Sequence, residues 1–157
     1  MTLKERVFEA LLAELEGRLT VAAEASRDAA AHATDEECRA DSKWDTQGLE
    51  ASYLAAGQAS HTRDIAESML KLRNLQSELL TPKTVVATGS LITCRSGESI
   101  DTYFLIPFAG GETLMVDEME ITTIGPVTPV GRALLGKRRN EPFELPNGMV
   151  GVVAGVE

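Results

Sequence analysis

The chain has 157 residues, with 24 acidic against 15 basic side chains and a formal net charge of −9. That length allows one domain or two small ones. A chain this acidic is repelled by duplex DNA, because non-specific affinity comes from neutralising phosphates with Lys and Arg. Residues 1–80 hold 9 basic and 15 acidic residues, a net of −6, and residues 81–157 hold 6 and 9, a net of −3. A protein partner with a basic surface suits that balance, since charge complementarity mainly steers encounter. Cys38 and Cys94 have neither CxxC spacing nor a histidine pair beside them, so neither a disulfide framework nor a zinc site is expected. The first residues, MTLKERVFEALLAELEGRL, are charged throughout and unlike a signal peptide. No apolar run approaches the ~18–20 residues of a membrane span, so a soluble, cytoplasmic protein is expected.

The first half predicts helix. Residues 1–80 contain no proline, and only Gly17, Gly48 and Gly57 as glycine. Apolar or small residues recur at Phe8, Leu12, Leu15, Leu19, Ala22, Ser26, Ala29 and Ala33 in alternating steps of four and three, the heptad seam of a helix packed on another helix. A second stripe runs Leu54, Gln58, His61, Ile65, Met69, Leu72, Gln76 and Leu79. The polar stretch 34–47 between them is short, so the two helices are expected to pack as an antiparallel hairpin. Arms of about 30–35 residues would reach roughly 45–50 Å. The first helix is expected to run to about Cys38, and Asp45 or Thr46 to cap the second. Thr34-Asp35-Glu36-Glu37 also has the pattern of a capping box.

From 81 onward come all six prolines and ten of the thirteen glycines. Thr81-Pro82 is the natural boundary, because the residue before proline is pushed out of helical geometry. Two domains are therefore expected, 1–80 and 81–157. Thr84–Cys94 and Ser99–Phe108, separated by Arg95–Glu98, read as strands, and Thr113–Ile124 and Pro142–Val156 supply two more. Between these, Thr128-Pro129 suits a helix N-cap with proline in the first position, and Gly136 suits its stop. The short helix is expected to bury Leu134 and Leu135 against the sheet. One short helix within four or so strands makes an α+β domain.

At these residues the sequence resembles the Gre transcript-cleavage factors of bacterial RNA polymerase. Thr128, Pro129, Val130, Gly131, Arg132, Ala133, Leu134, Leu135, Gly136 and Lys137 match the family's S-P-[IV]-[AG]-R-A-[LI]-[LI]-G-K run, with Thr128 replacing Ser. Glu50-Ala-Ser-Tyr53-Leu-Ala-Ala56 is similar to the A-E-Y-x-A-A that follows the Gre tip. The resemblance implies a second domain of FKBP-like fold that docks on the polymerase, with Thr128, Pro129, Val130 and Arg132 as candidate contacts. It also implies a hairpin that enters the secondary channel, where tip acids help hold a catalytic magnesium and its water while the polymerase hydrolyses its own backtracked RNA. The factor itself would hold no cofactor, act as a monomer and be no enzyme.

The tip departs from the family pattern. Gre tips read G-D-L-x-E-N-A-E-Y, and alignment on Tyr53 puts Thr46 and Leu49 where the two working acids stand. Residues 35–50 carry six acids against Arg39 and Lys43. One or two carboxylates on a rigid arm can complete an existing magnesium site without forming a whole cage. Asp41 and Asp45 are the first candidates for that role and Glu50 the third, although acids at a hairpin turn also serve as solvated or capping groups. Trp44 is the only tryptophan, and it serves either as an interface anchor or as a cap on the hairpin seam. His61 is expected as a packed polar seam residue, and Lys137-Arg138-Arg139 as complement to the short helix's dipole.

Rival readings follow from the same residues. The displaced acids allow a regulator that occupies the channel without stimulating cleavage. An FKBP-like peptidyl-prolyl isomerase or chaperone is disfavoured by the few aromatics of the second half, Tyr103, Phe104, Phe108 and Phe143. A coiled-coil dimerisation module is the remaining option, which the polar tip argues against.

Overall fold

The computed structural model describes residues 1–34 and 47–157, and the side chains of 1–31 and 56–157. Two long helices come first, α1 at Leu3–Thr34 and α2 at Gln47–Asn74. α1 starts on a reciprocal cap, in which the Glu5 amide donates to Thr2 Oγ1 at 3.1 Å and the Thr2 amide donates to Glu5 Oε2 at 2.5 Å. This is a capping box, and the Thr2 amide and hydroxyl hold the Glu5 carboxyl below its ordinary range. The second helix is not continuous to residue 80, as the stripe suggested. It breaks at Leu75 (φ −95, ψ 3), and a single turn, α3 at Gln76–Leu80, follows. Thr81 is extended (φ −60, ψ 129), as a residue before proline must be.

The chain divides into two compact units, Glu14–Leu70, and Met1–Ala13 together with Lys71–Glu157. The first is the expected antiparallel hairpin of α1 and α2. Its seam buries Leu15, Ala22, Ala29 and Met69, with Leu19, Ser26, Gln58 and Ile65 half-buried. His61 is exposed rather than packed in that seam.

The other unit joins the helix roots to a mixed sheet of six strands: β1 Leu91–Ser96, β2 Ser99–Leu105, β3 Thr113–Val116, β4 Met119–Ile124, β5 Pro142–Glu144 and β6 Val150–Val156. Their order is β3-β4-β2-β1-β6-β5. All neighbours are antiparallel except β2 and β4, which run parallel. Residues 84–90, expected as the start of the first strand, form only an isolated bridge between Val85 and Arg138 before the turn into β1. The run 113–124 is a hairpin rather than one strand. Asp117 (φ 51) and Glu118 (φ 63) both lie in the left-handed region, the conformation of a two-residue primed turn. Neither glycine nor asparagine stands there to announce it.

Strand register separates two faces. Leu91, Phe104, Ile121, Leu114 and Val116 share one, and Ile92, Cys94, Leu105, Ile124 and Val153 share the other. The second face is covered by a short helix, α4 at Pro129–Leu134, whose Leu134 completes a core with Val86 and Phe143. Val7, Phe8 and Leu11 of the α1 root are buried in the same unit, as are Leu72 and Leu79. Arg6 pairs with Asp117 at 2.6 Å, and Lys71 Nζ lies 5.0 Å from the centre of the Phe108 ring, fixing both roots to the sheet's loops.

Candidate functional site

The Thr128–Lys137 run is built by its own local chemistry. Thr128 Oγ1 donates to the Gly125 carbonyl at 2.7 Å and accepts from the Gly131 amide at 3.1 Å, so one hydroxyl closes the loop and caps the helix. Pro129 occupies the first turn, where an absent N–H costs nothing. Gly131 is required by a close approach, since a Cβ there would stand 2.0 Å from the Gly125 carbonyl oxygen. Gly136 (φ 79) ends the turn, and its amide donates to Val86 O at 2.9 Å.

This geometry sorts the candidate contacts. Thr128 is half-buried in its cap, and Val130 packs against the core beneath. Pro129 and Arg132 are exposed. With Val127 they form one wall of a groove of about 540 Å³, whose other wall is Glu144, Leu145 and Pro146. Sequence reasoning missed that second wall, because only the pairing of β5 with β6 brings those residues beside α4. Leu134 is fully buried as expected, but Leu135 is exposed. Successive residues of a helix point about 100° apart, and a helix of six residues packs only one face.

Lys137, Arg138 and Arg139 lie beyond the Gly136 stop, not in the last turn of α4, where Arg132 is the basic residue. Lys137 O accepts from the Val86 amide at 2.8 Å and Arg138 bridges to Val85, after which Arg139 and Asn140 form a turn. Within the last turn of α4 it is Arg132 that stands where a cation complements the helix dipole.

In the arm, Gly17, Val21, Ala22 and Ala25 of α1 face Gln58 and His61 of α2 across a cleft of about 600 Å³. The tip candidates Asp41, Trp44 and Asp45 lie outside the described residues, as do Cys38 and the 35–37 part of the capping box. Glu50 is in the first turn of α2, and its side chain is outside the description. Among the described residues, no group of three or more His, Cys, Asp and Glu side chains is placed to hold a metal ion. Among them, too, no helix is long and apolar enough to cross a membrane.

Cys94 is buried, and burial, with the Asp101 carboxylate nearby, pushes its thiol up to about 12. It is an inert core residue. Of the four aromatics weighed for an isomerase pocket, Tyr103 packs against the core that holds Phe143, and the other two lie elsewhere. Phe104 and Phe143 are buried on opposite faces of the sheet, and Phe108 lies under Lys71.

No protein-family model matches the chain, and no curated protein matches it. Among solved structures, it is similar to GreA factor homolog 1 (Gfh1) of Thermus thermophilus, with 21% identity over 96% of this chain and 94% of that one, at a TM-score of 0.36. It is similar to Thermus aquaticus Gfh1 at 19% identity over 95% of each chain, with a TM-score of 0.37. A further structure, of the transcription factor Gfh1, matches at 20% identity over 94% of each chain, with a TM-score of 0.37.

Proposed function

We propose that this protein is a Gre-type accessory factor of bacterial RNA polymerase, an α+β protein whose sheet domain docks on the enzyme while its helical arm enters the secondary channel. The observation that carries the reading is the Thr128–Lys137 run. Its matched positions form a self-capped helix that exposes Pro129 and Arg132 beside a groove, in a chain that also provides a long two-helix arm. Arg132 offers a planar set of donors suited to a carboxylate on the partner.

At the arm's end, Asp41 and Asp45, with Glu50 behind them, are the carboxylates assigned to cleavage support. The polymerase supplies the magnesium, which would activate water for phosphodiester hydrolysis. The chain's own part is to bring one or two carboxylates to that site and hold them there, which needs no nucleophile or cofactor of its own. The protein is thus an accessory factor, not an enzyme, and touches the nascent RNA 3′ end only indirectly. It is taken to act in the cytoplasm as a monomer that does not bind duplex DNA.

A second reading rests on a specific observation. Thr46 and Leu49 stand where Gre tips carry their two working acids, so the arm could occupy the channel and regulate transcription without supporting cleavage. An RNA-cleavage assay on backtracked polymerase complexes separates the two, using wild type, Asp41→Ala, Asp45→Ala and the double variant, with binding measured in parallel. Cleavage that collapses in the variants while binding survives supports the first reading. Tight binding without wild-type cleavage supports the second, and absence of binding removes both.

A further inference from the structure

The sheet face opposite α4 is only partly buried. The register carries one row across it: Met119 of β4, Ile100 of β2, Arg95 of β1, Val152 of β6 and Pro142 of β5. Arg95 pairs with Ile100 and with Val152, and Val152 with Pro142. Ile100 and Met119, each two residues before the paired Thr102 and Ile121, share the same side. Val150 lies one step beyond Val152 on that side. Ile100 is 68% exposed, Val150 63% and Met119 38%. An outward sheet face is ordinarily polar when it meets water. Here Ile100 and Met119 stand side by side, with Val152 and Val150 across Arg95 from them, and exposed apolar side chains gathered on one face are a feature of interaction sites.

The row is continuous with a recess of about 340 Å³ towards the α1 root, floored by Thr93, Thr102 and Gly155 and bordered by Leu3 and Arg139. Glu157 borders the recess, and Glu144, at the β5 edge, pairs with Val150 while also lining the groove beside α4. Arg95 is the only charge within the row itself. It is exposed and forms no ion pair among the described residues. Any partner that covers Ile100 and Val152 must also take the Arg95 guanidinium out of water, and that is costly unless an acceptor is supplied. The partner's chemistry is therefore constrained to an apolar surface bearing a carboxylate opposite Arg95.

We infer that this row is a second docking surface, on the sheet face opposite α4, and that it takes an amphipathic, carboxylate-bearing segment of RNA polymerase distinct from the one that meets Pro129 and Arg132. The inference rests on the functional reading above. Two contacts on opposite faces of one sheet fix the orientation of the domain, which a single groove beside a six-residue helix does not do.

The test places a photo-crosslinking benzoylphenylalanine at position 100, and separately at position 127 beside α4, in the full chain with purified bacterial RNA polymerase core enzyme. Affinities of wild type and Arg95→Glu are measured alongside. The expected result is that position 100 crosslinks to an acid-containing polymerase segment different from the one caught by position 127. Arg95→Glu should weaken binding at least about tenfold with an unchanged melting temperature. If wild type binds and only position 127 crosslinks, if position 100 captures a second copy of this chain, or if Arg95→Glu binds as wild type does, this inference is overturned and the functional reading stands. If wild type does not bind the polymerase, both fall together.

Discussion

Arg6 and Asp117 are joined by a forked contact in which Nε, at 3.0 Å, and Nη2, at 2.6 Å, donate to the same carboxylate oxygen. The third guanidinium nitrogen donates to Met1 O at 2.7 Å. One side chain of the α1 root thus gathers the start of the chain and the β3–β4 turn. Asp117 does two things there, since its backbone is also left-handed, a conformation that Asp and Asn tolerate better than other non-glycine residues.

Substitution separates those two roles. Asp117→Asn keeps the tolerance and loses the ion pair. Both side chains are partly exposed, 40% and 50%, so the pair is worth no more than about 0.5–1 kcal/mol. Asp117→Ala loses the pair and adds left-handed strain of about 1 kcal/mol. Urea denaturation should order the three as wild type, Asn, Ala. Adding salt should close the first gap and leave the second.

Thr128 and Gly131 make structural demands that are distinct from docking. Thr128→Ala is expected to lose about 1 kcal/mol, and Thr128→Ser to melt close to wild type because its hydroxyl can still accept from Gly131. Gly131→Ala should destabilise more, since the new methyl would meet the Gly125 carbonyl and α4 would have to shift. Arg132→Ala should leave thermal stability unchanged, because the side chain is exposed, and weaken polymerase binding. A melting temperature that falls with Arg132→Ala would assign that side chain to folding instead.

The parts of the fold legible in the sequence were those specified by nearby residues. Heptad spacing located the buried stripe of α1, whose Phe8 and Leu12 belong to the sheet unit and whose Leu15, Ala22 and Ala29 line the hairpin seam, and Thr128, Pro129 and Gly136 located α4 between its cap and its stop. The Thr2–Glu5 capping box is equally local, a threonine followed three residues later by glutamate. What could not be read was set by non-local pairing. The β3–β4 turn lacks the glycine that would mark it. The pairing of β5 with β6, which brings Glu144 and Pro146 beside α4, depends on the register of the whole sheet. The Met119–Ile100–Arg95–Val152 row draws on four strands, so no window of sequence contains it. Asp41, Trp44 and Asp45 remain proposals from resemblance and charge, because they lie outside the described residues.

Alkaline stability should show two opposed titrations. Lys4 is only 3% exposed, and its Nζ donates to Thr81 O at 2.9 Å. Burial, with the Lys83 charge beside it, lowers its pKa from 10.5 to about 8, and Glu157 partly offsets this. Between those values the unfolded chain binds more protons than the folded one, so stability rises with pH from about 8 to 10.5. The same contribution is lost as pH falls through 8. Cys94 acts in the opposite sense. Its thiol, raised from 9.0 to about 12, keeps its proton when folded, so stability falls as pH climbs above 9. Tyr103, raised chiefly by burial, follows Cys94 in direction. Urea midpoints at pH 7.0, 8.5 and 10 for wild type, Lys4→Met and Cys94→Ala should separate them. The 7.0-to-8.5 gain should vanish in Lys4→Met, and from 8.5 to 10, where the two groups oppose each other in wild type, Cys94→Ala should gain more stability than wild type does. A Lys4→Met profile parallel to wild type across the whole range would contradict the assignment.

Gly17 and Gly57 sit in the arm helices with nothing within 4 Å of where a Cβ would be. Neither has a positive φ, so neither backbone geometry nor close packing requires glycine at these sites. Glycine in a helix interior is about 1 kcal/mol less favourable than alanine. Gly17→Ala and Gly57→Ala are therefore each expected to stabilise the arm by about that amount, and to add in combination if the sites do not share a contact. The readout is amide hydrogen exchange in residues 14–31 and 56–70, because a whole-protein melt would blend the arm with the sheet unit. Gly17 lines the cleft opposite His61, so a methyl there also narrows the recess. If exchange slows as expected and polymerase binding is unaltered, the arm tolerates a stiffer backbone and the glycines carry no contact. If exchange slows and binding is lost, the open space beside Gly17 is where the channel wall approaches the arm.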